Sequence, residues 1–114
     1  MAKIVSVRQF ALKPGVKPVD FEQAMQTEIA KAPDLPGWKA SLGKGDRGEQ
    51  VGNYLILWEI ESVERRDAIA PAPGQPSEEG RRWIEATAAL WQILNEMASP
   101  AWDVHTNYVV IASS

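Results

Sequence analysis

Proline and glycine cut this chain into pieces short enough that few folds can use them. Turn residues cluster at Pro14-Gly15 with Pro18, at Pro33 and Pro36-Gly37, from Gly43 to Gly52, across Pro71 to Pro76, and at Pro100. Proline locks φ and lacks an N–H, so neither a helix interior nor a central strand runs through such a site. The stretches between these cuts reveal themselves by the period of their apolar residues.

Ile4 to Leu12 (IVSVRQFAL) reads as a first strand. Pro18 suits the opening of a helix that runs to about Ala32, with Val19, Phe21, Ala24, Met25, Ile29 and Ala32 at mostly three-and-four spacing. Trp38 to Gly43 is a short strand. The charged, glycine-rich segment after it reads as a hairpin connection, since it lacks the order and the following helix of a phosphate loop. Asn53 to Ile60 (NYLILWEI) is the most strand-like run. Ser62 caps a short helix, Val63 to Ala70, which the prolines of Ala70 to Ser77 interrupt. Ser77 then caps one long helix, whose inward stripe is Trp83, Thr87, Leu90, Trp91, Leu94 and Met97. Ser99-Pro100 stops it, and Asp103 to Ile111 is the last strand.

The order is β-α-β-β-α-β in a single α+β domain spanning residues 1–114. It predicts a ferredoxin-like, four-stranded antiparallel sheet with helices on one face. Strands one and three are expected in the centre, running parallel to each other, with strands two and four at the edges.

With no cysteine, disulfides and thiolate chemistry are ruled out, and one histidine does not suggest a metal cage. No metal or cofactor is expected. A net charge of −3 argues against a nucleic-acid partner. The longest apolar runs are strand-sized, and the N-terminus resembles no signal peptide, so a cytoplasmic protein without a membrane segment is expected.

A sheet covered on one side leaves its other face bare. Taking the more uniformly apolar set of each strand to pack on the helices, the bare face carries Ile4, Phe10, Leu55, Leu57, Val109 and Ile111. That is too much apolar surface to leave wet, so a second copy is expected to cover it, giving a homodimer. On this assignment Arg8, Glu59, Asp103 and His105, with Ser6 and Asn107, share the enclosed space. They read either as a functional pocket lined by Arg8, Glu59, His105 and Asn107, or as an Arg8–Glu59 ion pair with His105 held by Asp103 or Asn107. In the pocket reading His105 is the general base, Arg8 steadies a developing oxyanion and Glu59 orients one of them. Five tryptophans suggest a small apolar or aromatic ligand. Trp38, Trp83 and Trp102 are expected at the pocket rim, and Trp58 and Trp91 in the core. The Ala70 to Ser77 loop is expected at the pocket mouth.

Lys13-Pro14-Gly15 before the first helix, Trp58-Glu59 on strand three, the Glu61-Ser62-Val63-Glu64-Arg65-Arg66-Asp67 helix start and the final strand resemble the dimeric α+β-barrel superfamily. Within it, the chain is similar to the antibiotic-biosynthesis-monooxygenase-like group and to stress-responsive barrel proteins. The resemblance covers nearly the whole chain and rests on fold-level features. It implies a homodimer with a small-molecule pocket between each sheet and its helices or the partner, in which relatives oxidise quinol-type rings without metal or flavin, bind aromatic compounds or haem, or do no known chemistry. The haem-degrading branch carries its ligating histidine on the second helix. Here His105 lies on strand four, which disfavours haem. The reading is thus a cofactor-independent monooxygenase-like protein or a non-catalytic binding or assembly module.

Overall fold

The computed structural model describes residues 2–113; of Ala101 and Trp102 it describes the backbone alone. The elements are β1 (Ile4–Leu12), α1 (Pro18–Lys31), β2 (Trp38–Lys44), β3 (Tyr54–Ile60), α2 (Val63–Ile69), α3 (Glu78–Ala86), α4 (Ala88–Met97) and β4 (Ala98–Val109). They form a ferredoxin-like α+β fold around one four-stranded sheet, ordered β2-β3-β1-β4. Among the described residues no helix is long and apolar enough to cross a membrane.

Local chemistry explains most boundaries. Pro18 opens α1, and Ala32, forced extended by Pro33, ends it. The Ser62 hydroxyl accepts from the Arg65 N–H at 3.0 Å to cap α2. The Ser77 hydroxyl does the same for α3 with the Gly80 N–H at 3.2 Å. Gly80 is required there for a second reason. A Cβ on it would sit 2.6 Å from the Ile69 carbonyl oxygen, so only glycine lets α3 start against the end of α2.

Four expectations need correction. β1 and β3 are central but antiparallel, pairing Ile4 with Ile60 and Phe10 with Tyr54. The α1 crossover returns β2 in the direction of β1, and the β2–β3 hairpin then reverses it. The long helix is broken at Thr87, whose hydroxyl donates back to the carbonyls of Trp83 (2.8 Å) and Ile84 (3.2 Å). Such back-bonding bends or ends helices. β4 starts at Ala98, directly after α4, and tolerates Pro100 because it is an edge strand.

The fourth correction concerns the faces. Directly paired residues share a face of a sheet. Ser6 pairs with Trp58 and Asn107, Arg8 with Ile56 and His105, and Phe10 with Tyr54 and Asp103. All of these therefore lie on the helix side, where Ile4, Phe10, Tyr54, Ile56 and Ile60 form buried core with Phe21, Met25, Leu90 and Leu94. The expected bare-face residues Ile4 and Phe10 are fully buried. The outer face instead carries Val5, Val7, Leu55, Leu57, Val104, Thr106 and Tyr108, in cross-strand rows such as Leu57–Val7–Thr106.

Candidate functional site

The helix-side face is packed at one end and open at the other. At the packed end Phe10, Phe21 and Tyr54 contact one another with ring centroids 4.9 to 6.0 Å apart. At the open end four tryptophans form a continuous edge-to-face chain. Trp38 (β2) meets Trp58 (β3) at 5.6 Å, Trp58 meets Trp83 (α3) at 5.3 Å, and Trp83 meets Trp91 (α4) at 6.3 Å. The indole N–H groups hold three of them in place. Trp83 donates to the Pro33 carbonyl at 2.9 Å, Trp91 to the Thr87 hydroxyl at 2.9 Å, and Trp38 to the Arg65 carbonyl at 3.4 Å. Thr87 thus both breaks the helix and orients a ring. The Trp58 N–H has no acceptor among the described residues.

These rings stand between two cavities of about 880 and 770 Å³, and line both, as do Leu35 and His105. The first reaches Arg8, Asp103 and Pro100; the second reaches Ser6, Asn107 and the loop Pro71–Pro76. Either space is large enough for a multi-ring small molecule. The proline-rich loop lines the second cavity. It closes on itself, with the Ser77 N–H donating to the Ile69 carbonyl at 2.8 Å. Arg65 braces its base, reaching the Pro36 carbonyl at 2.5 Å and the Glu79 carboxylate at 2.7 Å.

The polar end of the site is built from two pairs that bridge β1 and β4. Arg8 grips Asp103 through Nε (2.9 and 3.2 Å) and a terminal nitrogen (2.6 Å). The Arg8 guanidinium holds the Asp103 carboxyl below its ordinary pKa against the opposing effect of burial. Two strand positions away along the same face, the Ser6 hydroxyl and His105 Nε2 lie 2.8 Å apart. Ser6 is buried, at 4% exposure.

The structure therefore places Arg8, His105, Trp38 and Trp83 on the first cavity and His105, Asn107, Trp38 and Trp83 on the second, and Glu59 on neither. Glu59 lies on the opposite face, paired with Lys3 at 3.1 Å, so both the Arg8–Glu59 ion pair and the orienting role for Glu59 fail. The enclosed space lies between sheet and helices, one of the two places the resemblance implies, and not on the outer face of the sheet where strand alternation put it. Trp58 and Trp91, expected in the core, do touch it but also wall the cavities. The side chain of Trp102 lies outside the described residues. Asp103 as the partner of Arg8, and Ser6 as the partner of His105, went unassigned. Their one local signal was a polar residue at a core-parity position of a strand.

No family model and no curated protein matches the sequence. Solved structures do match its fold. A dimeric ferredoxin-like protein of unknown function from Thermobifida fusca aligns with a TM-score of 0.64 at 13% identity, over 96% of this chain and 92% of its own. Another, from Bacteroides fragilis, aligns with a TM-score of 0.58 at 15% identity, over 95% and 96%. SnoaB, a cofactor-independent oxygenase from Streptomyces nogalater, aligns with a TM-score of 0.52 at 14% identity, over 99% and 97%. At such identities the likeness establishes the ferredoxin-like fold that this chain shares with those dimeric proteins.

Proposed function

We propose that the cavities between sheet and helices take a planar aromatic weak acid, uncharged when it enters, and that His105 removes its proton. The observation that carries this reading is a tryptophan chain lining the same cavities as two already paired polar groups. Rings from the sheet and from the helix layer offer edge and face contacts to a flat ligand. Arg8 is neutralised by Asp103, so it offers a carboxylate ligand no uncompensated charge. A phenol or an acidic ring C–H is the better match. Its proton passes to the imidazole, and the resulting anion is held by the imidazolium, by the remaining Arg8 N–H groups and by the Trp58 N–H. An electron-rich anion of this kind reacts with dioxygen. A ring CH₂ then becomes a carbonyl, with the second oxygen atom leaving as water. The structural likeness to SnoaB supports that oxygenase outcome, and the ordinary alternative is binding without turnover.

The same reading makes the protein a homodimer. Val104 and Tyr108 are 51% and 55% exposed on the outer face, beside Val7, Leu55 and Leu57. A second copy supplies an equal apolar face, and two of the structural neighbours are described as dimeric.

The test is an anthrone titration, followed by tryptophan fluorescence and dioxygen uptake. Wild type should show quenching and uptake. His105→Gln should keep the quenching and lose about 100-fold or more of the uptake rate. Undiminished uptake in that variant, or no quenching in wild type, overturns the reading.

A further inference from the structure

The chain has one histidine, and that histidine is tied to a buried serine from a different strand. This pair bears on which nitrogen of His105 can act as a base. Nε2 is occupied, lying 2.8 Å from the Ser6 hydroxyl oxygen. Nδ1 has no hydrogen-bond partner among the described residues, and His105 lines both cavities.

We propose that Ser6 is a positioning residue that holds neutral His105 with its proton on Nε2, leaving the Nδ1 lone pair as the acceptor toward the cavity. Three physical points support this assignment. The Nε2–H form is the intrinsically preferred tautomer of a neutral histidine side chain. A hydroxyl can either donate or accept, but an imidazolium can only donate. With Nε2–H donating to the Ser6 oxygen, His105 can take up a proton at Nδ1 without any rotation of the hydroxyl. With the roles reversed, Ser6 would have to turn its proton away from Nε2 at the moment of transfer. A polar environment that needs no reorganisation is the better catalytic arrangement. Finally, Ser6 sits on central strand β1, paired on both sides by Trp58 and Asn107, so its oxygen is a fixed anchor.

The surrounding charges do not compete for that bond. Arg8 on β1 and Asp103 on β4 are spent on each other. The other charged groups lining the cavities are Asp34 and Lys39 on one side and Arg66 and Asp67 on the other. The inference deepens the proton-abstraction reading and rests on it for its catalytic meaning, but the tautomer itself is a property of the ligand-free chain.

The experiment is nitrogen-15 NMR of the imidazole in the full chain at mildly alkaline pH, where the single histidine makes assignment unambiguous. Wild type should show a protonated Nε2 and a bare Nδ1. Ser6→Ala should shift the tautomer ratio by about five- to tenfold, the effect of one ordinary hydrogen bond. Ser6→Thr, which keeps the hydroxyl, should restore the wild-type ratio. A protonated Nδ1 in wild type overturns the inference without recourse to any variant, as does an unchanged ratio in a folded Ser6→Ala. Failure of the wider reading would show separately, as full dioxygen uptake by His105→Gln with the tautomer as stated.

Discussion

One face of one sheet carries two aromatic clusters that do opposite things. Phe10, Phe21 and Tyr54 fill space completely, with Phe10 and Phe21 at 0% exposure. Trp38, Trp58, Trp83 and Trp91 are only partly buried and border space left unfilled. Ring size is not the cause. Around the phenylalanines, α1 and α4 lie against the sheet, and the rings meet neighbours on every side. Three of the tryptophans are instead held by their N–H groups to backbone or hydroxyl acceptors, which keeps them standing edge to face and stops them collapsing inward. A polar handle on an aromatic ring thus allows a cavity to persist where a plain ring would close it.

The largest test of that contrast is truncation at each end. Phe21→Ala should lower stability by about 3–5 kcal/mol, because it opens a hole in dense packing. Trp58→Ala should cost only about 1–2 kcal/mol, within the ordinary range for a partly exposed site, while weakening the ligand-induced fluorescence change. Urea unfolding of the two variants decides the matter. Equal losses would mean that the tryptophan end is as tightly packed as the other.

Gly80→Ala sharpens the contrast next. The added Cβ meets the Ile69 carbonyl oxygen at 2.6 Å, so α3 must move off α2 and carry Trp83 with it. Overpacking of about 1–3 kcal/mol, less about 1 kcal/mol of improved helix propensity, leaves a net loss of about 1 kcal/mol. The sharper readout is weaker ligand quenching, beside a fall of only about 4 °C in melting temperature.

The smallest expected effect is on acid stability, through two carboxylates that hydrogen bonds hold in the ionised form. Glu22 accepts from Tyr54 Oη at 2.5 Å and from Lys44 at 2.9 Å, and these bonds, Tyr54 first, hold its pKa below the ordinary 4.5. Asp103 is lowered in the same sense by Arg8. A carboxylate whose folded pKa is depressed adds stability above its unfolded value, and that stability is lost as pH falls through the folded value. Stability should therefore be flat near neutrality and decline below about pH 4.5, the ordinary glutamate value. Glu22→Gln and Asp103→Asn should each flatten the decline in urea midpoint between neutral and acid pH. An unchanged slope in both would detach these pairs from folding.

The amino-acid order alone specified a good deal. Proline and glycine punctuation, serine caps and apolar periods placed β1 and α1 within a residue and set the β-α-β-β-α-β order, because these signals act within a few residues of one another. The break at Thr87 was not visible, since a threonine at an inward helical position looks like any other until its hydroxyl finds the Trp83 carbonyl and the Trp91 indole. Nor was the phase of one strand against the next. Alternation divides each strand into two sets of residues, but nothing local says which set of β1 lies beside which set of β3 or β4. Only the hydrogen-bond register, closed across more than ninety residues of chain, put Arg8 against Asp103 and Ser6 against His105, and sent Glu59 to the other face. The site follows from that register, which belongs to the assembled sheet and to no single stretch of sequence.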